Sequence, residues 1–204
     1  MPENTRKIMI VAGEMSGDLH AAKLADALRL ADPTQEYVFF GAAGPKMRDI
    51  GVEPIVRSDG LSIVGLAEIG RALPMFLRAS KTLKNAAAAR KPDAVILVDF
   101  PDFNLKLAKA LKKQGMTIIY YISPQLWAWR RYRISTVKKY VDLMLTILPF
   151  EKDWYAEHGV DHDHDAHRPD RHVQRLQLAW LDRPVAARAV PAAESVRRAD
   201  VLRR

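Results

Sequence analysis

Cysteine is absent from all 204 residues, which excludes disulfides, thiolate metal sites and a cysteine nucleophile. Long apolar runs are absent as well. The chain opens Met1-Pro2-Glu3-Asn4-Thr5-Arg6-Lys7 and then enters a short apolar stretch at Ile8. That stretch is too brief for the hydrophobic part of a signal peptide and far too brief to cross a bilayer, so nothing marks the chain for export. There is no internal repeat and no classical linker. What remains is the composition of an ordinary globular protein, 49% hydrophobic and 27% charged, enough for one large α/β domain plus a tail. The formal charge of +8 points to an anionic partner, whether nucleic acid, phosphorylated small molecule or anionic membrane, or simply to a basic soluble surface.

Short β-rich apolar runs alternate with stretches of period near 3.6 as far as Pro149, the pattern of βαβ units around a parallel sheet. The spacing predicts strands over 8–12, 37–40, 94–98, 117–122 and 143–148, with a shorter one over 52–56. Each is nearly continuous in apolar residues, as strands covered on both faces must be. Helices are predicted over 19–30, 45–50, somewhere within 66–90, 105–114 and 130–140. Ser16 or Asp18 suits the cap of the first, Asn104 the cap of the fourth, and Gly115 its left-handed end. The fold class is therefore α/β, a Rossmann-like parallel sheet with helices on both faces, whose ligand crevice lies at the carboxyl ends of the strands.

The composition changes after Val160. Residues 161–204 hold nine arginines, no lysine and no glycine, seven acidic residues and four of the six histidines. This divides the chain into a domain over 1–160 and an atypical tail over 161–204. His162, His164 and His167 sit among aspartates, but at no spacing that fixes a tetrahedral site, so no metal is expected.

Three loops carry the residue types for chemistry. Gly13-Glu14-Met15-Ser16-Gly17-Asp18 follows the first strand, where backbone amides at a helix start can hold phosphate or sugar. Its spacing is not the GxGxxG fingerprint, and the same residues also suit a tight turn with a helix cap. Asp99-Phe100-Pro101-Asp102-Phe103-Asn104 places two carboxylates at a strand end. Asp99 is the preferred general base, because a carboxylate desolvated between aromatic rings is pushed toward neutral pH, while Asp102 or Asn104 would cap the helix. Ser123-Pro124-Gln125-Leu126-Trp127-Ala128-Trp129-Arg130-Arg131 offers rings to a sugar face and guanidinium groups to phosphate, or else packs its tryptophans onto the core. Aromatic and basic interleaving also raises nucleic-acid binding, but no RNA or DNA fold motif accompanies it. Finally, the stretch from Leu61 to Leu83 is rich in large apolar residues and carries Arg71, Arg78, Lys81 and Lys84. It reads as a helix at a lipid interface or as an amphipathic helix covering the sheet.

These segments, together with Ile63-Val64-Gly65-Leu66 and Leu148-Pro149-Phe150-Glu151-Lys152, resemble the lipid-A-disaccharide synthase family in order and spacing, over about residues 7–160. Met15, Phe100, Gln125 and Leu126 depart from the residues usual in the family. The resemblance implies the amino-terminal half of a GT-B architecture in a cytoplasmic enzyme peripheral to the inner membrane. It implies transfer of 2,3-diacylglucosamine from UDP-2,3-diacylglucosamine to 2,3-diacylglucosamine 1-phosphate, with inversion and without a cofactor. It also implies roles for residues. Asp99 and Glu14 are the catalytic candidates; Gly13, Ser16, Gly17, Asp18, Asp102, Asn104, Ser123, Pro124, Trp127, Trp129 and Arg130 are the substrate-binding ones. Leu66, Ile69, Leu73, Met75 and Phe76 would meet the anionic membrane or acyl chains. From Asp161 the sequence leaves the family pattern, as a reading-frame shift in a GC-rich gene would make it do. The chain alone is expected to turn over negligibly.

Overall fold

The structure, a computed structural model, describes residues 5–60, 69–160 and 162–164, with the side chains of 60, 69–72, 152 and 162–164 not included. In chain order the elements are β1 (Thr5–Ala12), α1 (Met15–Ala31), β2 (Glu36–Ala43), α2 (Pro45–Asp49), β3 (Glu53–Arg57), α3 (Ile69–Arg90), β4 (Ala94–Val98), α4 (Pro101–Lys112), β5 (Ile118–Tyr121), α5 (Ile134–Tyr140), β6 (Leu143–Thr146), α6 (Glu151–Glu157) and β7 (His162–His164). The strands form one parallel sheet in the order β3-β2-β1-β4-β5-β6-β7.

Alternation along the central strands fills a core on each face. Ile8, Ile10, Ala12, Ile96 and Val98 pack beneath Ala21, Leu24, Ala25 and Leu28 of α1 and Met47 of α2. Met9, Val11, Val95 and Leu97 face Leu83 and Ala87 of α3, Leu107, Ala108 and Leu111 of α4, Val137 of α5 and Tyr155 of α6. Both faces of β1 and β4 are thus buried, which is why these strands read as unbroken apolar runs rather than as an alternation. One glycine in the sheet is obligatory. At Gly41 the φ of +151° and the bulge between Gly41 and Ala42 bring the chain so close to β1 that a Cβ would stand 1.9 Å from the Ile10 carbonyl oxygen.

The six predicted strands and five predicted helices are all found, with boundaries displaced. α1 starts at Met15, so Ser16 and Asp18 lie inside its first turn, and its N-cap is Glu14 with no side-chain capping bond. α4 starts at Pro101, the favoured place for proline, and its N-cap is Phe100, again without a side-chain cap. Neither Asp102 nor Asn104 caps it. Its far end does close as predicted. Met116 N–H reaches the Leu111 carbonyl and Gly115 N–H that of Lys112, with Gly115 at φ +81°.

Two elements escape the sequence reading. α6 is only seven residues long and shows no sustained period. β7 is polar, His-Asp-His, and pairs with Met144, Leu145 and Thr146 of β6. The sheet therefore continues past residue 160. The remainder of the tail, including His167, lies outside the described residues.

Candidate functional site

Strand order reverses between β1 and β4. β2 lies on the outer side of β1 and β5 on the outer side of β4, so the loops after β1 and β4 part to opposite faces and leave a crevice at the strand ends. Gly13 follows β1 and Asp99 follows β4, directly beyond the paired Ala12 and Val98. Gly13 is buried, and a Cβ there would meet the Phe100 ring at 2.3 Å. The missing side chain is what lets that ring lie on the loop. Phe100 is held in turn by Phe76 and Phe103, with ring centroids 5.9 and 5.7 Å away.

The β4 loop is conformationally unusual. Asp99 and Phe100 are consecutive left-handed residues, at φ +46° and +51°, each costing about 1–2 kcal/mol for a residue with a Cβ. Hydrogen bonds hold them there. Asp99 N–H donates to the Tyr121 carbonyl at 2.9 Å. The Asp99 carbonyl accepts from Asn104 Nδ2 and from the Tyr120 hydroxyl, both at 2.7 Å, and Asn104 Nδ2 also reaches the Val98 carbonyl at 3.1 Å. Ile122, at the end of β5, is left-handed too, at φ +64°, a rare state for a β-branched residue. Strain of this kind concentrates at strand ends that face ligands.

The two carboxylates of the loop are separated by their surroundings. Burial pushes the Asp99 carboxyl above its ordinary range, against the opposing pull of the Phe100 amide and of positive charge on His20. Partial burial likewise raises Glu14, and the negative charge of Asp99 adds to it. Among the described residues no lysine or arginine forms an ion pair with either group. Asp102 differs. Burial would raise it, but hydrogen bonds and charge from Arg133 and Arg130 outweigh that and leave it lowered. Arg130 Nη1 lies 2.7 Å from Asp102 Oδ1, and Arg133 contacts the same oxygen. A carboxylate so paired is a poor proton acceptor, whereas one raised by burial holds a proton more readily. His20 and Arg133 were not singled out from sequence. The signal for His20 is its place on the second turn of α1, where its ring meets Tyr121 edge-on at 6.3 Å.

Several residues predicted to touch substrate are buried or bonded within the fold. Asp18 is buried, and its carboxylate accepts from the backbone N–H groups of Gly44 at 2.9 Å, Lys46 at 2.8 Å and Met47 at 3.2 Å. It caps α2, not α1. Gly17 is buried against Ala12 and Val98, and Asn104 is fully buried beneath the β4 turn. Ser123 and Pro124 are buried as well, with the Pro124 carbonyl accepting from the Tyr155 hydroxyl at 3.2 Å. Trp127 is half-buried, donating from Nε1 to Glu151 at 3.3 Å and packing edge-on against Phe150. That leaves Glu14, Ser16, Asp99, Asp102, Trp129 and Arg130 with accessible side chains. Trp129 is 57% exposed, with the Arg130 guanidinium 4.3 Å from its ring centre.

The apolar helix is also divided. Leu73 and Leu77 are exposed, at 53% and 63%, and Arg78 and Lys81 are exposed beside them. Met75 and Phe76 are half-buried and pack onto the core. Met75 helps line a groove of about 480 Å³ between α3 and β3. Ile69 begins α3 without a described side chain, and Leu66 lies outside the described residues. No helix among the described residues is long and apolar enough to cross a membrane.

A family model described as lipid-A-disaccharide synthetase matches residues 8–168. The lipid-A-disaccharide synthase of Myxococcus xanthus is 50% identical over 157 residues, which cover 77% of this chain and 40% of that protein. That of Geobacter sulfurreducens is 48% identical over 162 residues, covering 78% and 41%. The chain thus spans about two-fifths of the length of the relatives it matches. Among solved structures, UDP-GlcNAc 2-epimerase from Neisseria meningitidis bound to UDP-GlcNAc aligns with a TM-score of 0.52 at 10% identity, covering 87% of this chain and 50% of that one. The MnaA-UDP structure from S. aureus aligns at 0.50 and 15%, covering 74% and 42%. At such identities these likenesses speak for the Rossmann-like fold alone. The sequence match over three-quarters of the chain goes further, and the chain belongs to the lipid-A-disaccharide synthase family.

Proposed function

We propose that this chain forms the acceptor side of an inverting glycosyl transfer, the joining of 2,3-diacylglucosamine from UDP-2,3-diacylglucosamine to 2,3-diacylglucosamine 1-phosphate. Asp99 takes the proton of the acceptor hydroxyl as that oxygen bonds to the anomeric carbon. The bond from that carbon to the diphosphate breaks, and UDP leaves with the electron pair. The observation that carries this reading is the contrast within one loop, where burial raises the Asp99 pKa and no lysine or arginine among the described residues pairs with it, while Asp102 is pinned by two arginines. Glu14 stands near enough for the charge of Asp99 to raise its pKa, on top of the effect of burial. Exposed Trp129 and half-buried Arg130, in the loop after β5, suit a sugar face and a phosphate. The donor sugar and its leaving diphosphate call for groups beyond those described.

The second part of the proposal concerns the membrane. Leu73 and Leu77, with Arg78 and Lys81, form an apolar and basic outer face on α3 that suits the anionic cytoplasmic surface of an inner membrane, the source of acylated substrates. On this reading the protein is cytoplasmic and peripheral.

The test is disaccharide formation by the chain joined to the carboxyl-terminal part of the Myxococcus xanthus relative. Asp99→Asn is expected to lower kcat by roughly 10²–10⁴, the usual share of a general base, with Asp102→Asn far less damaging. Equal losses in the two variants would refute the assignment of the base.

A further inference from the structure

The turn that carries Asp99 is held from two directions, and the two are not equivalent. Asn104 sits on α4, which begins at Pro101 within the same loop, so it moves with whatever the loop does. Tyr120 sits in β5, in the middle of the sheet, fully buried. Alternation along β5 sends the Tyr120 side chain to the α3/α4 face and that of Tyr121 to the α1 face. The Tyr121 carbonyl accepts the Asp99 N–H, and the Tyr120 hydroxyl donates to the Asp99 carbonyl at 2.7 Å. Both backbone groups of Asp99 are therefore fixed by one dipeptide of a rigid strand.

The hydroxyl is more than packing needs. A phenylalanine ring would fill the same space among Leu107, Val137 and Tyr155 in the core. What it would lack is a donor for a carbonyl that the left-handed turn has swung away from the strand ladder, where ordinary pairing would have satisfied it. We infer that Tyr120 is a positioning residue for the proposed base, its hydroxyl tying the Asp99 turn to the sheet and so setting where the Asp99 carboxylate stands against Glu14 and His20. The phenol is suited to donate at every working pH. Burial raises its pKa well above the ordinary tyrosine value, and the charge of Asp99 adds to this, with Tyr155 and Asp102 acting the same way and Arg133 opposing.

This inference rests on Asp99 being the base, but its test does not require turnover. The electrostatic contact between Asp99 and Glu14 reports their separation, so ¹³C-NMR titration of the side-chain carboxyls in the 204-residue chain reads the position of one through the other. Asp99→Asn sets the full scale, as the fall in the Glu14 midpoint when the neighbouring charge is removed. Tyr120→Phe is expected to reproduce most of that fall while Glu53, paired with Arg90 on the far side of the sheet, titrates unchanged. A Glu14 midpoint that stays at its unsubstituted value in Tyr120→Phe overturns the inference. Should that variant fail to fold, the unsubstituted chain supplies the second reading. The Tyr120 hydroxyl proton is expected to exchange slowly and to correlate with the Asp99 carbonyl carbon, and its absence also overturns the inference. Failure here leaves the transfer assay untouched, whereas failure of that assay removes the base and leaves the titration result standing.

Discussion

Replacing Asp18 with alanine removes one acidic side chain from the loop most suggestive of phosphate binding, and the consequence is expected to appear in stability. Its carboxylate accepts three backbone N–H groups at the start of α2, two of them in fully buried surroundings. Losing a helix N-cap costs about 0.5–2 kcal/mol. Each further buried donor left without an acceptor costs about 1–3 kcal/mol, with incomplete additivity. Taken together the loss should be about 3 kcal/mol, or a fall in Tm of roughly 6–12 °C for a domain of this size. Thermal and urea unfolding followed by circular dichroism measure it. Ser16→Ala, in the same loop but exposed, should stay within about 0.5 kcal/mol of the parent, as surface changes do. If Asp18→Ala unfolds like the parent, or if Ser16→Ala is equally destabilising, the capping account is wrong and the carboxylate is free for ligand.

Further expectations follow from the geometry. Gly13→Ala should destabilise by about 1–3 kcal/mol, the usual cost of overpacking, and less when Phe100 is first cut to alanine. Gly17→Ala, whose new methyl would find ordinary contacts at 3.7 Å, should be neutral or stabilising by up to about 1 kcal/mol; urea unfolding of the double and single variants checks both. Asp99 and Glu14 have folded pKa values above their unfolded ones, so their stabilising contribution is complete below about pH 4 and is lost as pH rises through the folded values. Asp99→Asn should therefore gain stability relative to the parent as pH rises above 4, and a difference that stays flat with pH would contradict the burial account. On α3, Leu73→Ser with Leu77→Ser should weaken flotation on anionic vesicles at unchanged Tm, while Phe76→Ala should lower Tm through the lost ring cluster. Flotation unaffected by the double serine variant would remove the membrane face.

The sheet was legible because β1, β4, β5 and β6 are buried on both faces and advertise it in continuous apolar runs. The place of Asp99 at a strand end was legible for a related reason, since it directly follows the apolar run of β4. Asp18 and Asn104 were misassigned because an acid or amide near a helix start suits a local cap, and their true partners depend on folding. The Asp18 partners lie 26 to 29 residues away; those of Asn104 are backbone carbonyls turned toward it by two left-handed residues. Met75 and Phe76 were grouped with Leu73 as one greasy face, although Phe76 packs onto Phe100 and Phe103 and Met75 onto the core. β7 was invisible because nothing in His-Asp-His calls for a strand. It is made one by the open edge of β6.

The central claim is that the loops after β1 and β4 share one crevice in which the acceptor sugar phosphate sits, and the most direct measurement is chemical-shift mapping of 2,3-diacylglucosamine 1-phosphate binding to the isotope-labelled chain. The account predicts that Gly13, Glu14, His20 and Asp99 shift together along one binding curve, with Gly51 and Lys91 at the opposite strand ends unmoved. Shifts that gather elsewhere, or that move Glu14 without Asp99, would contradict it.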